Sequence, residues 1–589
     1  MVPEGFVRHR MAVAVLSGLL GVAAVAPAGA DPVIGSNNVV VADPSVPRPP
    51  GQPCVVTLFT NVSFDDFGTR PYSYAPPTGC SGSWSKVVLE ADFSVTAGRQ
   101  YDRTATLWLG GVNLYFGTTE EPSASVSPAW HVERDLTDYA ALLRNAGQGQ
   151  AIIGNLVNST YTGVIHGSAR LLFYPASAQA RAAQSPDMVL ALGSDPVGST
   201  TTLNTPTDKL ARTVTLPRNV ERAYLDVFTQ SQSGDEFWYT CVPDAYASEV
   251  QECGGGNFRE AEISIDGQPA GVAPVYPWVY TGGIDPYLWR PTPGVQALNF
   301  MPYRVDLSPF AGQLSDGNPH EVALQVAGAH GYFSATATLL VYRDAHASQV
   351  SGAITRNTLA NQAPTPVIGS TLVQASNGDV SGDITTRLDR HVAIEGYVDT
   401  SHGRVTHAVT QDVGFDDRQG FTINATTYQQ LTWQRTWSDT TSESRVGKQV
   451  TEERSEHFEY PFTLDYNQVL QSDGSISAAS TVHQAYRQRS EERLSGMRAY
   501  SADVHNRVES ADTLVFDASG NLASHSGQQS AQSFDFRDSL GGCYRTSLTT
   551  QAGALTGYIT GQGCPGHQNS VSWFAHPDGS PDSSLRPGH

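Results

Sequence analysis

Short runs of alternating apolar and polar residues recur along the whole chain, and turn-forming residues separate them. Residues 86–93, 104–109 and 169–174 are examples, rich in Val, Leu, Thr, Phe and Tyr. A period of two residues, bounded by Gly, Pro, Asn and Asp, is typical of β-strands. Helical periodicity is scarce, and the pattern indicates one short amphipathic helix at residues 136–144. We therefore predict an all-β fold.

The strand-like runs form successive regions that differ in their loops. The second region has two long stretches rich in Gly and aromatic residues, 233–258 and 276–293, and long loops of this kind on a β-scaffold often carry binding chemistry. The third region is polar, rich in Thr, Ser and Gln, and has no catalytic cluster. We predict a first β-sandwich at residues 31–183, a second at 184–345, a β-rich C-terminal region at 346–575 and a disordered tail at 576–589.

The first 30 residues have the pattern of a secretory signal peptide. Arg8 and Arg10 precede an apolar run at 11–27, and Ala28-Gly29-Ala30 forms an A-x-A cleavage site. The apolar run is too short to span a bilayer, so a membrane anchor is the weaker alternative. The pattern predicts a secreted, extracellular protein with no membrane attachment after cleavage.

Six cysteines form three pairs that are close in sequence. In an exported protein an even number of cysteines indicates disulfides, and short loops favour pairing between neighbours. Metal binding is the rival interpretation, but the chain has no C-x-x-C or H-E-x-x-H motif and its 16 histidines are scattered. The expected disulfides are Cys54–Cys80, Cys241–Cys253 and Cys543–Cys564, and we expect no metal site.

The composition excludes several classes of function. The chain of 589 residues is 40% hydrophobic, carries a formal net charge of −21 and has only three lysines. The hydrophobic content is too high for a disordered chain, and a dispersed acidic excess repels a phosphate backbone, which argues against nucleic-acid binding. The chain has no G-x-S-x-G motif and no phosphate-binding loop, so serine-hydrolase and nucleotide chemistry lose their support.

Carboxylates set among aromatic residues are the remaining candidates for chemistry. They are Asp102-Arg103 at the start of a predicted strand, Asp235-Glu236 before Trp238, Arg259-Glu260, and Asp285 near Trp289 and Arg290. Aromatic rings that stack on sugar faces, with acids and arginines around them, are common in carbohydrate sites. Each group also has a purely structural explanation: Asp102-Arg103 as a surface ion pair, the tryptophans as core residues, and Glu260 as the partner of Arg259.

A series of longer motifs runs in order from about residue 54 to residue 342. They are WSKVVLE (84–90), GRQYDR (98–103), LWLGGV (107–112), EP (121–122), NLV and YTGV within 155–164, DEFWY (235–239), FRE (258–260) and YTGGIDPYLWRP (280–291). Together they resemble the peptide-N-glycosidase A family, the plant and microbial glycoamidases. The SHGRVTH segment at 401–407 is similar to the family's C-terminal part. An ordered series is far more specific than any single motif.

The resemblance implies a fold and a reaction. The family is similar, more distantly, to peptide-N-glycosidase F, which implies two adjacent jelly-roll-like β-sandwiches with the catalytic cleft between them. The implied reaction is hydrolysis of the amide that joins the innermost GlcNAc of an N-glycan to asparagine, giving aspartate and a released glycosylamine. The substrates would be N-linked glycopeptides or glycoproteins. No cofactor is implied, and we expect a monomer.

The resemblance also implies site residues. The key aspartate of the F enzyme lies in a Trp-Asp-Arg motif that enters a strand, and Tyr101-Asp102-Arg103 resembles that motif. One glutamate of the F enzyme corresponds here to Asn155, so Glu236 and Glu260 are the nearest substitutes for its catalytic glutamates. The expected substrate-binding residues are Arg103, Asn155, Asp235, Trp238, Arg259, Asp285, Trp289 and Arg290. In this scheme Arg259 or Arg290 polarises the scissile carbonyl, and the two tryptophans stack on the core sugars.

Two other classes of function use the same residues. One is a non-catalytic, secreted glycan-binding β-sandwich protein. The other is an endo-acting glycoside hydrolase that cuts between sugars with two carboxylates. The presence of Asp102 together with Glu236 and Glu260 favours an enzyme, and the ordered series of motifs favours the amidase.

Overall fold

The computed structural model describes residues 31–80 and 82–581, and nearly all of this part is β-structure. Two β-sandwiches lie next to each other and are followed by one large antiparallel sheet. The predicted all-β class, with adjacent sandwiches and a β-rich C-terminal region, is confirmed. The predicted signal peptide lies outside the described residues. Within them, no helix is long and apolar enough to span a membrane.

The first sandwich has eight strands in two sheets of four. The strands are β1 (Cys54–Phe64), β2 (Arg70–Tyr74), β3 (Trp84–Val95), β4 (Thr104–Leu109), β5 (Val112–Thr118), β6 (Ala129–Asp135), β7 (Gly147–Ile153) and β8 (Ile165–Pro175). One sheet has the order β1-β8-β3-β6 and the other the order β2-β7-β4-β5. The predicted short helix is confirmed as a 3-10 turn at Thr137–Tyr139 that runs into α1 at Ala140–Leu143.

The second sandwich repeats this arrangement. Its strands are β9 (Met188–Ala191), β10 (Thr201–Leu203), β11 (Leu210–Thr215), β12 (Val220–Gln232), β13 (Glu260–Ile265), β14 (Gln268–Pro274), β15 (Tyr303–Asp306), β16 (Pro319–Ala327) and β17 (Tyr332–Arg343). The sheets have the orders β10-β17-β12-β15, with β9 beside β17, and β11-β16-β13-β14. If β9 is set aside, the eight strands from β10 to β17 are connected in the same order as β1 to β8.

Two long connections of the second sandwich fold into short helical turns. The connection between β12 and β13 holds 3-10 turns at Ser233–Asp235 and Trp238–Thr240 and α2 at Asp244–Val250. The connection between β14 and β15, which follows Pro274, has no helix or strand. A third connection holds a 3-10 turn at Ser308–Phe310 and α3 at Ala311–Leu314. The first two connections contain the long stretches in which binding chemistry was expected.

The C-terminal region is a single sheet of twelve strands. They are β18 (Ser351–Asn357), β19 (Val367–Ser370), β20 (Val373–Gln374), β21 (Val380–Thr400), β22 (Gly403–Ile423), β23 (Thr427–Val446), β24 (Gln449–Leu470), β25 (Ile476–Leu494), β26 (Met497–Phe516), β27 (Leu522–Asp538), β28 (Cys543–Gln551) and β29 (Ala554–Thr560), with 3-10 turns at Leu359–Asn361 and Pro565–His567. From β21 to β29 each strand pairs with the next, and β18, β19 and β20 pair with β21.

Aromatic side chains fasten this sheet to the second sandwich. Phe458, Tyr460 and Phe462 alternate along β24 and therefore point to one face of the sheet. Their ring centroids lie 5.0, 4.9 and 4.7 Å from those of Tyr303, Tyr276 and Tyr239, respectively. All six side chains are buried, and each buried aromatic side chain contributes about 1.5 to 3 kcal/mol. The sheet and the second sandwich therefore share one hydrophobic core.

The three disulfides join the predicted neighbours, Cys54–Cys80, Cys241–Cys253 and Cys543–Cys564. The expected disordered tail needs a correction for residues 576–581. Ser580 is buried there, and His576 Nδ1 lies 2.9 Å from the Ser580 hydroxyl. The Gly579 carbonyl accepts a hydrogen bond from the Tyr486 hydroxyl of the large sheet. This segment packs on the sheet, a long-range contact that its Pro, Gly and Ser content did not reveal.

Candidate active site

A polar cavity of about 330 Å³ lies between the two sandwiches. Its walls come from the start of β4, the end of β5 and the residues after it, the end of β12, and the connection after β14. Residues at strand ends can face a ligand while the strands hold their positions. The lining residues are Tyr101, Asp102, Arg103, Thr104, Thr118, Glu121, Gln232, Glu236, Tyr280 and Gly282.

Asp102 lies at the mouth of the β4–β5 hairpin. Beside it, the Arg103 N–H donates to the Thr119 hydroxyl (2.9 Å) and the Thr119 N–H donates to the Arg103 carbonyl (2.9 Å). These bonds fix the backbone on both sides of the hairpin, so the Asp102 side chain is held toward the cavity. Burial raises the pKa of Asp102 above its usual value, and the Arg103 cation only partly opposes this effect.

Glu121, which the sequence reasoning did not select, is a second carboxylate of this cavity. Its Oε1 accepts the Asp102 backbone N–H (3.2 Å), and its Oε2 accepts from Arg290 Nη2 (3.0 Å). Burial and the neighbouring Asp102 charge raise the pKa of Glu121, whereas Arg290 lowers it. Arg290 therefore acts on the carboxylate pair rather than facing the cavity itself.

Gly282 allows the two carboxylates to share one small space. A Cβ atom at this position would lie 2.5 Å from Glu121 Oε1 and 2.7 Å from Asp102 Oδ1, closer than real Cβ contacts. The backbone of the connection after β14 therefore rests directly against both side chains. Glycine leaves room for both carboxylates in their present positions, and a Cβ atom would displace them.

Glu236 faces the cavity from the second sandwich. It follows the 3-10 turn at Ser233–Asp235 and is partly buried. Burial, with a further contribution from the Asp102 charge, raises the pKa of Glu236 to about 7. Three carboxyl groups with raised pKa values thus face one cavity, which can both hold and release protons near neutral pH.

Asp235 and Arg259 form a buried ion pair that supports Glu236. Arg259 Nη2 and Nε lie 2.6 and 2.9 Å from Asp235 Oδ1, and both side chains are almost fully buried. Asp235 Oδ2 accepts the backbone N–H groups of His330 (2.9 Å) and Gly331 (2.6 Å). Neither residue lines the cavity. Their contacts fix the turn that carries Glu236.

Glu260 is also placed away from the cavity. Its carboxylate pairs with the guanidinium of Arg390 on β21, and both side chains are buried. The expectation that Glu260 pairs with Arg259 is wrong, because Arg259 binds Asp235 and Glu260 binds the C-terminal sheet. A sequence cannot show that a residue 130 positions later supplies the partner.

The two tryptophans are core residues. Trp238 and Trp289 are both 0% exposed, and the Trp289 indole N–H donates to the Gly283 carbonyl (2.8 Å). Neither ring has a face open to the cavity, so the expected stacking on sugars does not fit their positions. Tyr101, which is 45% exposed, and Tyr280 are the aromatic residues that line the cavity.

Two further expected substrate-binding residues are buried elsewhere. Asn155 is 0% exposed, and its Nδ2 donates to the carbonyls of Phe64 (2.9 Å) and Gly163 (3.0 Å). Asp285 is buried beside Asp512 of β26, and burial together with that second carboxylate raises the pKa of Asp285 to about 7. Both side chains serve contacts within the protein rather than the cavity.

The pairing of β4 with β5 indicates from the sequence that Glu121 lies near Asp102. Thr104 at the start of β4 pairs with Thr118 at the end of β5, so residues just outside this pair come together. Asp102 precedes the first strand by two positions and Glu121 follows the second by three. A predicted hairpin around the Gly110-Gly111 turn therefore brings the two carboxylates close.

Among the residues that the structure describes, no three His, Cys, Asp or Glu side chains are grouped to hold a metal ion.

Residues 45–360, more than half of the chain, match the model of a protein family, peptide N-acetyl-beta-D-glucosaminyl asparaginase amidase A. The chain belongs to this family. The part of the chain that matches amidase A includes the strands of both sandwiches and all residues that line the cavity. Most of the C-terminal sheet follows the matched part.

The chain is also similar to individual proteins. The peptide-N4-(N-acetyl-beta-glucosaminyl)asparagine amidase A of Prunus dulcis is 30% identical over 385 residues, 62% of this chain and 66% of that protein. The chain thus spans just under two thirds of this relative's length. PNGase F from Flavobacterium meningosepticum is 12% identical, with 50% of this chain and 96% of that chain covered and a TM-score of 0.32. PNGF-II is 12% identical, with 50% and 66% covered and a TM-score of 0.36.

Proposed function

We propose that this protein is an N-glycan amidase that hydrolyses the bond between the innermost GlcNAc and asparagine. The observation that carries the proposal is the convergence of Asp102, Glu121 and Glu236 on one cavity between the sandwiches, in a chain of the amidase A family. A cavity of about 330 Å³ is within the size range of small-ligand sites. It is large enough to hold the sugar–asparagine linkage.

Amide hydrolysis needs a base for water, a donor to the carbonyl oxygen and an acid for the leaving nitrogen. In our proposal Asp102 is the base. Both oxygens of Glu121 accept hydrogen bonds, one of them from Arg290, and these contacts favour its ionised form against the burial that raises its pKa. A negative charge beside Asp102 raises its proton affinity and makes it a stronger base. Glu236, with a pKa of about 7, carries a proton in a large fraction of the molecules at neutral pH and is the acid.

The proposed hydrolysis transfers protons only between water, the substrate and side chains of the cavity. The oxygen of water bonds to the amide carbonyl carbon, and one water proton passes to Asp102. The carbon–nitrogen bond then breaks, and the nitrogen takes the proton from Glu236. The products are aspartic acid in the peptide and a glycosylamine. Return of the proton from Asp102 to Glu236 restores the enzyme.

Arg103 is our choice for the donor to the carbonyl oxygen. It lines the cavity, and its Nη2 is held by Gln100 Oε1 at 2.7 Å. The Arg103 side chain is only partly buried, so its guanidinium group can donate to a substrate oxygen in the cavity. This assignment replaces Arg259 and Arg290, whose guanidinium groups are bound to Asp235 and Glu121.

The proposed substrates are N-linked glycopeptides or glycoproteins, which the enzyme would bind outside the cell. Three disulfides support an oxidising compartment, and the Prunus dulcis relative is named for this amidase reaction. We propose a secreted monomer that acts without a cofactor. The glycan-binding and glycoside-hydrolase alternatives are separated from this proposal by their products.

The test is product analysis by mass spectrometry. A purified glycopeptide is incubated with the mature protein and the peptide product is weighed. An amidase leaves a peptide with aspartate in place of the glycosylated asparagine. A peptide that retains one GlcNAc would show a glycoside hydrolase, and an unchanged glycopeptide that nevertheless binds would show a glycan-binding protein. Either of these results would refute the proposal.

A further inference from the structure

Buried glutamines of the C-terminal sheet bind the two connections that form one side of the cavity. Gln419 and Gln430 donate to the carbonyls of Cys241 (2.9 Å) and Thr240 (2.8 Å), in the connection after β12. Gln484 accepts the Val295 N–H and donates to the Pro277 carbonyl, in the connection after β14. A buried loop needs partners for its backbone groups, and these side chains supply them.

Gln528 makes a contact of this kind with Arg290, the residue whose guanidinium group binds Glu121. It is on β27 and 4% exposed. Its Oε1 accepts the Gly553 N–H (2.7 Å), which orients the amide so that Nε2 donates to the Arg290 carbonyl (2.9 Å). Ser530, the next residue on the same buried face of β27, donates to the Leu288 carbonyl (3.0 Å). Together they hold the backbone at Arg290.

A continuous series of hydrogen bonds leads from this contact to the catalytic base. Gln528 holds the Arg290 carbonyl, Arg290 Nη2 binds Glu121 Oε2 at 3.0 Å, and Glu121 Oε1 accepts the Asp102 N–H at 3.2 Å. Each link is a direct contact, so a shift of the Arg290 backbone changes the position of its charge against Glu121.

We propose that the C-terminal sheet completes the active site, with Gln528 as a positioning residue that acts on Asp102 through Arg290 and Glu121. This role rests on the proposed amidase function. It assigns a task to a region most of which lies beyond the family match at residues 45–360. It also explains the glutamine-rich composition of a sheet that has no catalytic cluster of its own.

The test compares two glutamines of one strand in the full-length protein. Gln528→Met keeps the length of the side chain and removes the donor to Arg290. The matched control is Gln532→Met: Gln532 is four residues along the same face and 2% exposed, but it binds Ala42 and Asp43 instead of the cavity connections. Ser530→Ala is a second, smaller change at the same connection. Melting temperatures and the full pH dependence of glycopeptide cleavage are measured for all variants.

We expect similar melting temperatures for both Met variants but a difference in catalysis. Gln528→Met should lower kcat roughly tenfold, since small displacements of catalytic groups are costly, and leave KM nearly unchanged. Its acid limb should move to higher pH by roughly half a unit, because a less well placed Arg290 stabilises the ionised pair less. The charged and titratable groups around the pair are Arg103, Glu120, Glu236 and Arg290. Ser530→Ala should change both quantities in the same direction.

The outcomes separate this inference from the proposed function. A wild-type protein that releases no glycan overturns both. An active wild type whose kcat and acid limb are the same in Gln528→Met and Gln532→Met overturns the positioning role alone. Equal losses of kcat in the two variants would also overturn it, because the effect would then come from general loosening of the sheet.

Discussion

Replacement of Glu121 by glutamine tests how the carboxylate pair works. Glutamine keeps the shape of the side chain, and its Oε1 can still accept the Asp102 N–H. It removes the negative charge beside Asp102 and leaves Arg290 without its ion-pair partner. Both changes favour ionisation of Asp102, so the pKa of Asp102 should fall. Because Asp102 must be ionised to accept a proton, the acid limb of kcat/KM should move to lower pH.

The size of this shift follows from the geometry at Gly282, where both carboxylates approach one point. Unit charges about 5 Å apart interact by about 3 kcal/mol at an effective dielectric constant of about 20. One pKa unit corresponds to about 1.4 kcal/mol, so an interaction of this size without further screening would shift the pKa by about two units. Asp102 is only partly buried and water screens part of the interaction, so we expect about one unit. A weaker base also lowers kcat at neutral pH, by about tenfold.

The assay is the initial rate of glycopeptide cleavage between about pH 4 and pH 9, the range in which raised carboxyl pKa values titrate. Glu120→Gln is the matched control: Glu120 is the adjacent buried glutamate, its pKa is raised well above the usual value by burial, and it does not line the cavity. Its profile should match the wild type. If Glu121→Gln has the wild-type acid limb, or if both variants shift equally, the assigned role of Glu121 is wrong.

Three further predictions concern residues around the cavity. Trp289→Ala should lower the free energy of unfolding by about 3 to 5 kcal/mol in chemical denaturation, since a fully buried side chain is removed; a loss of sugar affinity without a loss of stability would contradict its position in the core. Glu260→Gln should cost about 3 to 5 kcal/mol of stability because Arg390 is left unpaired, while the kcat of the folded protein stays within about threefold of wild type; a much larger loss of kcat would return Glu260 to the catalytic residues. Gly282→Ala should reduce kcat at least about a hundredfold, because its Cβ would displace Asp102 and Glu121, with circular dichroism unchanged; wild-type kcat would show that the two carboxylates do not need their present positions.

The fold class and the local elements could be predicted because they depend on short-range patterns. A two-residue period between turn residues predicted the strands, and the spacing of cysteines predicted all three disulfides. The long Gly-rich and aromatic stretches were expected to carry the site, and Glu236, Tyr280 and Gly282 do line the cavity. The size of the C-terminal sheet was not predicted, because strand number depends on pairing between distant segments.

Side-chain environments could not be predicted in the same way. Trp238 and Trp289 are expected in a sugar site by residue type, yet both lie in the core. Arg259 and Glu260 are neighbours in sequence at the start of β13, but their side chains bind different partners, Asp235 and Arg390. Asp102 was selected by the resemblance of Tyr101-Asp102-Arg103 to the motif of the F enzyme, together with its position at a strand start. Glu121 needed the pairing of β4 with β5, which was available from the hairpin pattern.

The central claim is that water cleaves the glycan–asparagine amide in the cavity that contains Asp102. The most direct measurement is cleavage of one glycopeptide in heavy-oxygen water by the wild-type protein and by Asp102→Asn, with mass spectrometry of the peptide. The wild type should give aspartate that contains one heavy oxygen, and Asp102→Asn, with the same melting temperature, should be slower by about a hundredfold or more. Release of glycan at the wild-type rate by Asp102→Asn, or a peptide product without heavy oxygen in its new aspartate, would contradict the claim.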